Sequence, residues 1–263
     1  MKTNRINQSL LLTSVKVLAR DYKKYILSFL GVMTFMYLVE FIVALSSGNI
    51  KIGGIEGVYG IACFVSGLFT FKEEYYFLTQ NQVPKATITK AFIIEGFCFG
   101  ILTSFMVNIF FHLMQWISHS LGLYTPGFFA LIPIQIDKGG VIGFGQILII
   151  LIFLYVTTYF IGLLLATINY RLNWLGRIIF WVPFGIITLN GLIGSLEYLI
   201  DKVAIEDLDV PSLILAKPFI NGLNWTLQSL GNFIIVSSGI IIICLILGTL
   251  LFRGAEIKYS NVK

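Results

Sequence analysis

The sequence predicts an all-α membrane protein with six transmembrane helices, an N-terminal amphipathic elbow helix, and extracellular or re-entrant helices before the last span. Hydrophobic residues occupy 57% of the 263 positions, charged residues only 12%, and the mean hydropathy is +0.89. Because a soluble domain carries about 25% charged residues, an ordinary soluble protein and a disordered chain are excluded. Helices are expected because the apolar segments are long and lack the alternation of barrel strands.

The first predicted element is an amphipathic interfacial helix over residues 1–24. At about 100° per residue, its apolar side chains gather on one side and its cations on the other. We expect it to lie in the headgroup plane with the cations toward anionic lipid. It is either a simple anchor or topogenic signal, or an elbow that braces the bundle and touches a cytoplasmic partner. The apolar side holds Leu10, Leu11, Val15, Val17, Leu18 and Tyr22, the opposite side Lys2, Arg5, Ser9, Lys16, Arg20 and Lys23, and Leu12 and Asp21 break the pattern.

Six apolar segments follow and form a predicted transmembrane domain over residues 25–252, with a cytoplasmic tail at 253–263. About 20 apolar residues are enough to cross the roughly 30 Å of hydrocarbon in a bilayer. The third segment is longer than this, so it is tilted or extends out of the membrane. The predicted spans are Tyr25–Leu45, Ile55–Phe71, Ala91–Ser118, Gln146–Ile168, Ile178–Leu196 and Phe233–Phe252.

The distribution of Lys and Arg predicts the orientation. With the N-terminus inside, 14 of the 18 basic residues fall on the cytoplasmic side and 4 outside. Cytoplasmic loops carry the excess of Lys and Arg, so both termini are expected in the cytoplasm. The first 24 residues are too polar to hold the apolar core of a cleavable signal.

Two connections differ from plain loops. The cytoplasmic stretch Lys72–Lys90 begins with charged residues, continues with four large apolar or aromatic ones, and breaks at Pro84. It predicts a short helix, a turn and a restart into the third span, with the apolar residues buried by a partner or by the lipid interface. Between spans five and six, Ser212–Ala216 and Pro218–Leu230 are too short to cross and predict extracellular amphipathic or re-entrant helices.

The sequence gives little support for enzyme chemistry. It contains no GxxxxGK[ST], HExxH, GxSxG or CxxC pattern, so no nucleotide hydrolysis, cofactor or metal is expected in this chain. His112 and His119 are seven residues apart, but no Cys or carboxylate completes a metal set. Basic patches lie at the membrane edge, where lipid explains them better than nucleic acid.

Polar residues inside the spans are the remaining candidates for function. A strip on one face of the third span predicts either hydrogen bonds within the bundle or a surface facing a pathway or subunit. Glu40 is expected to face the bundle or a cavity, and Glu95 to extend toward the cytoplasm. Gly96 and Gly100 form a GxxxG motif, a weak signal in so glycine-rich a chain. The strip holds Ser104, Asn108, His112, Gln115 and His119.

In the order of its predicted elements and in its topology, the chain resembles the permease subunits of ABC exporters of the ABC-2 type. Its closest local match is FTFKEEYYFLTQNQVPKATITKAF at Phe69–Phe92, which looks like the coupling-helix segment of small Firmicutes permeases. Where relatives often carry Gly-x-Ser-Arg at the turn, this chain has Gln82–Lys85. The resemblance implies that the ATPase-coupling helix comprises Lys72, Glu73, Glu74, Tyr75, Tyr76, Phe77 and Leu78.

The resemblance also implies an assembly and a substrate class. Two permeases, either two copies or a copy and a paralogue, would join two cytoplasmic ATPase subunits that bind ATP and Mg, in a bacterial plasma membrane. The expected substrate is an amphipathic or hydrophobic peptide, such as a phenol-soluble modulin or an antimicrobial peptide; drugs, ions and lipid-linked glycans are alternatives. A membrane immunity or sensor protein that binds a peptide without turnover is the competing interpretation.

Overall fold

The computed structural model describes residues 2–47, 55–120, 140–183, 185 and 216–253, and every regular element among them is helical. The predicted all-α class is therefore confirmed for this part of the chain. The helices are α1 (Lys2–Leu18), a 3-10 turn (Ala19–Asp21), α2 (Tyr22–Ser47), α3 (Ile55–Gln80), α4 (Lys85–Ser120), α5 (Gly140–Arg171), α6 (residues 174–183), α7 (Ala216–Gln228) and α8 (Leu230–Arg253).

Three of the described helices are long and apolar enough to cross a membrane. These segments, Lys85–Ile117, Ile142–Arg171 and Leu230–Phe252, coincide with the predicted third, fourth and sixth spans. The first and second predicted spans lie within helices α2 and α3. Most of the predicted fifth span falls outside the described residues, so the total of six spans stays a prediction.

The region before the last span contains the short helix α7, where a helix was predicted. The Ser229 hydroxyl accepts a hydrogen bond from the backbone N–H of Asn232 at 3.1 Å, which caps the start of α8. The side-chain amide of Asn232 donates to the Trp225 carbonyl at 2.8 Å and ties the two helices together. A re-entrant position for α7 remains a prediction.

Residues 186–215 are not among those described, and they include all but the last residue of the predicted piece Ser212–Ala216.

The described residues belong to two compact units. One contains α1 to α4, α5 up to Tyr170, and α8 from Ser237 onward. The other contains α6, α7 and the beginning of α8.

Helix α1 packs on α4. Ser14 and Leu18 are buried, whereas Leu12, Lys16 and Arg20 are exposed. The arm therefore makes protein contacts on one side, and its role as an elbow stays a prediction. Its position in the headgroup plane stays a prediction.

Helices α3 and α5 cross at two glycines. A Cβ atom at Gly67 would collide with the backbone carbonyl oxygen of Tyr159, and one at Gly162 with the carbonyl oxygen of Phe64. The two backbones therefore approach as closely as small residues allow in membrane helix pairs. Any larger side chain at either position would push the helices apart.

The GxxxG motif of α4 packs against α5. A Cβ at Gly96 would lie 2.7 Å from the ring of Tyr159, and one at Gly100 would lie 2.5 Å from Cγ2 of Val156. The motif, a weak signal in the sequence, thus marks a close helix contact. Helix α5 consequently packs on both α3 and α4.

Candidate functional site

The segment predicted to couple to an ATPase is the C-terminal end of α3. The helix runs without a break from Ile55 to Gln80, so the predicted short helix is the end of a longer one, whereas the predicted turn and restart are confirmed. Residues 72–80 contain no Gly or Pro that would interrupt a helix. The segment is therefore a direct extension of the predicted second span.

A tight cap ends α3 immediately after this segment. The backbone N–H of Gln82 donates to the Thr79 carbonyl at 3.0 Å, and that of Val83 donates to the Leu78 carbonyl at 3.1 Å. Gln82 has a φ of 56°, so this is a Schellman motif with a left-handed residue. The Pro84 carbonyl accepts the first hydrogen bonds of α4, and the turn directly joins the two helices.

The four large apolar residues of the coupling segment divide between two faces. Tyr75 and Leu78 are 1% and 2% exposed, whereas Tyr76 and Phe77 are 40% and 47% exposed. The expectation that all four require a partner or lipid to cover them is therefore wrong for Tyr75 and Leu78. Of these four residues, only Tyr76 and Phe77 remain available for a partner.

Tyr75 belongs to an aromatic cluster, which consists of Phe71, Tyr75, Phe92, Tyr170 and Phe252. The Phe71 ring centroid lies 5.0 Å from that of Tyr75, 5.2 Å from Phe252, 5.6 Å from Tyr170 and 6.0 Å from Phe92. These separations are typical of favourable aromatic pairs. The cluster joins the ends of α3, α5 and α8 to the beginning of α4.

Several predicted site residues have side chains outside the described set. Glu40 lies within α2, and Lys72 and Glu73 within α3, but their side chains are not described. Glu74 is partly exposed and has a polar or electrostatic partner. The predicted roles of these four residues are not tested by the structure.

Glu95 is buried between helices, which the sequence did not predict. It is 3% exposed, and its Oε2 accepts a hydrogen bond of 2.6 Å from the Tyr159 hydroxyl of α5. The expectation that Glu95 extends toward the cytoplasm is therefore wrong. The adjacent Gly96 is the sequence feature that could have predicted this burial. A glycine allows a close helix crossing, and such a crossing beside a carboxylate prevents that side chain from reaching water.

The polar strip of α4 is partly a packing surface. Ser104 and Asn108 are fully buried, and the Asn108 amide donates to the Phe144 carbonyl of α5 at 3.3 Å. His112 lies against Phe144, with ring centroids 5.1 Å apart, and Gln115 is exposed. Hydrogen bonding within the bundle therefore accounts for the amide N–H of Asn108, while a pathway role for the strip is not tested.

Two atoms of this strip have no hydrogen-bond partner among the described residues. They are Oδ1 of Asn108 and Nε2 of His112, and both are shielded from solvent. The two residues are four positions apart, so they share one face of α4. A polar ligand or water molecule would complete their hydrogen bonding.

Metal-binding and thiol groups contribute no site within the described ranges. No group of three or more His, Cys, Asp or Glu side chains there could hold a metal ion. Cys63, Cys98 and Cys244 are free thiols.

Comparisons of the chain with protein-family models, with curated proteins and with solved structures give no match. The resemblance to ABC-2 permeases therefore depends on the sequence features of the chain itself. The function has to be argued from the geometry of the helices.

Proposed function

We propose that this chain is the transmembrane permease subunit of an ABC exporter of the ABC-2 type, located in a bacterial plasma membrane with both termini in the cytoplasm. The observation that carries the proposal is the division of the coupling segment into two faces. One face holds Tyr75 in the aromatic cluster, and the other exposes Tyr76 and Phe77.

The exposed pair would form the contact with a cytoplasmic ATPase. Fully burying a large apolar side chain is worth about 1.5–3 kcal/mol, so a groove in the ATPase that covers Tyr76 and Phe77 gains substantial affinity. Charged residues at the start of the segment would form a polar rim that sets the orientation of the partner more than its affinity.

The buried face would carry motion into the membrane. Tyr75 packs on Tyr170 and Phe252, with ring centroids 5.7 and 5.9 Å apart. Close-packed interiors have low compressibility and transmit strain. A displacement of the coupling segment by the ATPase would therefore move the ends of α4, α5 and α8 together.

Under this proposal the chain itself performs no bond chemistry. ATP and Mg bind in the two partner ATPase subunits, and a second permease, a copy or a paralogue, completes the pathway. ATP-driven motion shifts the balance between alternative arrangements of the spans. The proposed substrate is an amphipathic or hydrophobic peptide, and this class follows from the family resemblance.

The proposal predicts that Tyr76→Ala combined with Phe77→Ala disrupts coupling. Relative to the unmodified chain, we expect at least a roughly tenfold loss of ATPase co-purification, or loss of peptide-stimulated ATP hydrolysis, because two apolar contacts are removed. The measurements are pull-down from detergent-solubilised membranes and ATPase assay in proteoliposomes. Membrane insertion should be unchanged, since both residues lie beyond the predicted span.

Phe69→Ala is the matched control, because Phe69 is 68% exposed on the same helix but lies inside the predicted span. It should leave co-purification and stimulation intact. If the double variant also keeps both, the ATPase contact lies elsewhere, at the N-terminal arm or the Asn169–Arg177 connection. Peptide binding by a chain that associates with no ATPase would instead favour the immunity or sensor function.

A further inference from the structure

A narrow groove with a cavity volume of about 20 Å³ lies between α4, α5 and α8, and the proposed transport function does not account for it. Its walls include Thr89 and Phe92 of α4, Thr167 of α5, and Gly248 and Phe252 of α8.

The surface of the groove is apolar even where it is lined by polar residues. The hydroxyls of Thr89, Thr167 and Thr249 each donate to a carbonyl of their own helix, at 2.9, 2.7 and 2.9 Å. A Cβ built at Gly248 would have no atom within 4 Å. The site is therefore open and apolar, and suits a hydrocarbon chain better than a polar molecule.

The length of the groove matches one leaflet. Along α8 it extends from Cys244 to Phe252, which is about 12 Å at a rise of 1.5 Å per residue. Half of a hydrocarbon core of roughly 30 Å is about 15 Å. Phe92 and Phe252 also belong to the aromatic cluster, so this end of the groove lies at the predicted cytoplasmic side.

Two cations are close in sequence to Thr89, which lines the groove. Lys85 precedes Thr89 by four residues, so both lie on one face of α4, and Lys90 directly follows Thr89. Both lysines are exposed. An apolar groove with basic residues at its cytoplasmic end has the chemistry that recognises an anionic headgroup and its acyl chain.

We propose that this groove binds an anionic phospholipid of the cytoplasmic leaflet. One acyl chain lies along Gly248, and the phosphate lies near Lys85 and Lys90. The inference does not depend on transport, so it can hold if the proposed function fails.

The test is native mass spectrometry of the delipidated full-length chain, titrated with phosphatidylglycerol or phosphatidylcholine. Gly248→Leu should weaken phosphatidylglycerol binding roughly tenfold, as expected for displacing about two buried CH₂ groups. Lys85→Gln and Lys90→Gln should each weaken phosphatidylglycerol binding about fivefold and leave phosphatidylcholine binding unchanged.

Gly239→Leu is the matched control, because a Cβ there also meets no atom within 4 Å and Gly239 does not line the groove. It should bind phosphatidylglycerol like the unmodified chain. Unchanged phosphatidylglycerol binding by Gly248→Leu would overturn the proposal. The proposal would also be overturned if Gly248→Leu removed the mass of a dimer and not that of a lipid adduct. The groove would then hold a second copy of the chain.

Discussion

At the scale of single residues, the buried pair of Glu95 and Tyr159 is the most unusual feature of the described bundle. An acidic side chain inside a membrane helix is costly and marks a functional candidate by default. Here the Tyr159 hydroxyl supplies one of its hydrogen bonds across the α4–α5 contact. The pair therefore stabilises one packing arrangement of α4 and α5, independently of any transport role.

Tyr159→Phe should reduce the free energy of unfolding by about 0.5–1.5 kcal/mol, the usual net contribution of an intramolecular hydrogen bond. Denaturant unfolding in detergent micelles measures this loss. Tyr170→Phe on the same helix is the control, because the Tyr170 hydroxyl has no hydrogen-bond partner among the described residues. Equal effects from the two substitutions would mean that the bond to Glu95 contributes no stability.

At the scale of helices, the glycines determine which elements touch. Gly67 and Gly162 bring the backbones of α3 and α5 together, and Gly96 and Gly100 do the same for α4 and α5. Without a hydrophobic driving force between helices in lipid, such close packing is a main source of association. These four small residues therefore set the close contacts of α5 with α3 and α4.

Gly162→Ala should destabilise the bundle by about 1–3 kcal/mol, the usual cost of overpacking, because the added methyl group meets the Phe64 backbone. The measurement is thermal unfolding in detergent. Gly145→Ala, also on α5, should be neutral or stabilising, since a Cβ there meets no atom within 4 Å. A melting temperature for Gly162→Ala equal to that of the control would contradict the close crossing.

The sequence predicted helices well and contacts poorly, for a physical reason. Long apolar runs determine where a helix crosses, so the helices α4, α5 and α8 agree with prediction. Which face of α3 is buried depends on partners far along the chain, so the burial of Tyr75 could not be read from its neighbours. Glu95 was misjudged in the same way, because Tyr159 is 64 residues away.

At the scale of the whole molecule, the orientation in the membrane connects the coupling segment with the lipid groove. Both proposals put the beginning of α4 in the cytoplasm, which the 14-to-4 distribution of basic residues predicts. The aromatic cluster agrees with the alternation of spans, because it gathers the four helix ends assigned to one side. The choice of that side as cytoplasmic depends on the basic residues alone.

Cysteine accessibility tests this choice directly. In a background with Cys63, Cys98 and Cys244 replaced by Ala, a single reporter is introduced as Gln80→Cys, Ser120→Cys or Ser260→Cys. Gln80 and Ser120 are exposed, and α4, at 36 residues, is about 54 Å long, so its ends extend past the roughly 30 Å hydrocarbon core. An impermeant maleimide should label Ser120→Cys in intact cells, but Gln80→Cys and Ser260→Cys only after permeabilisation. The reverse pattern would invert the topology and place Tyr76 and Phe77 outside the cell, where no cytoplasmic ATPase could reach them.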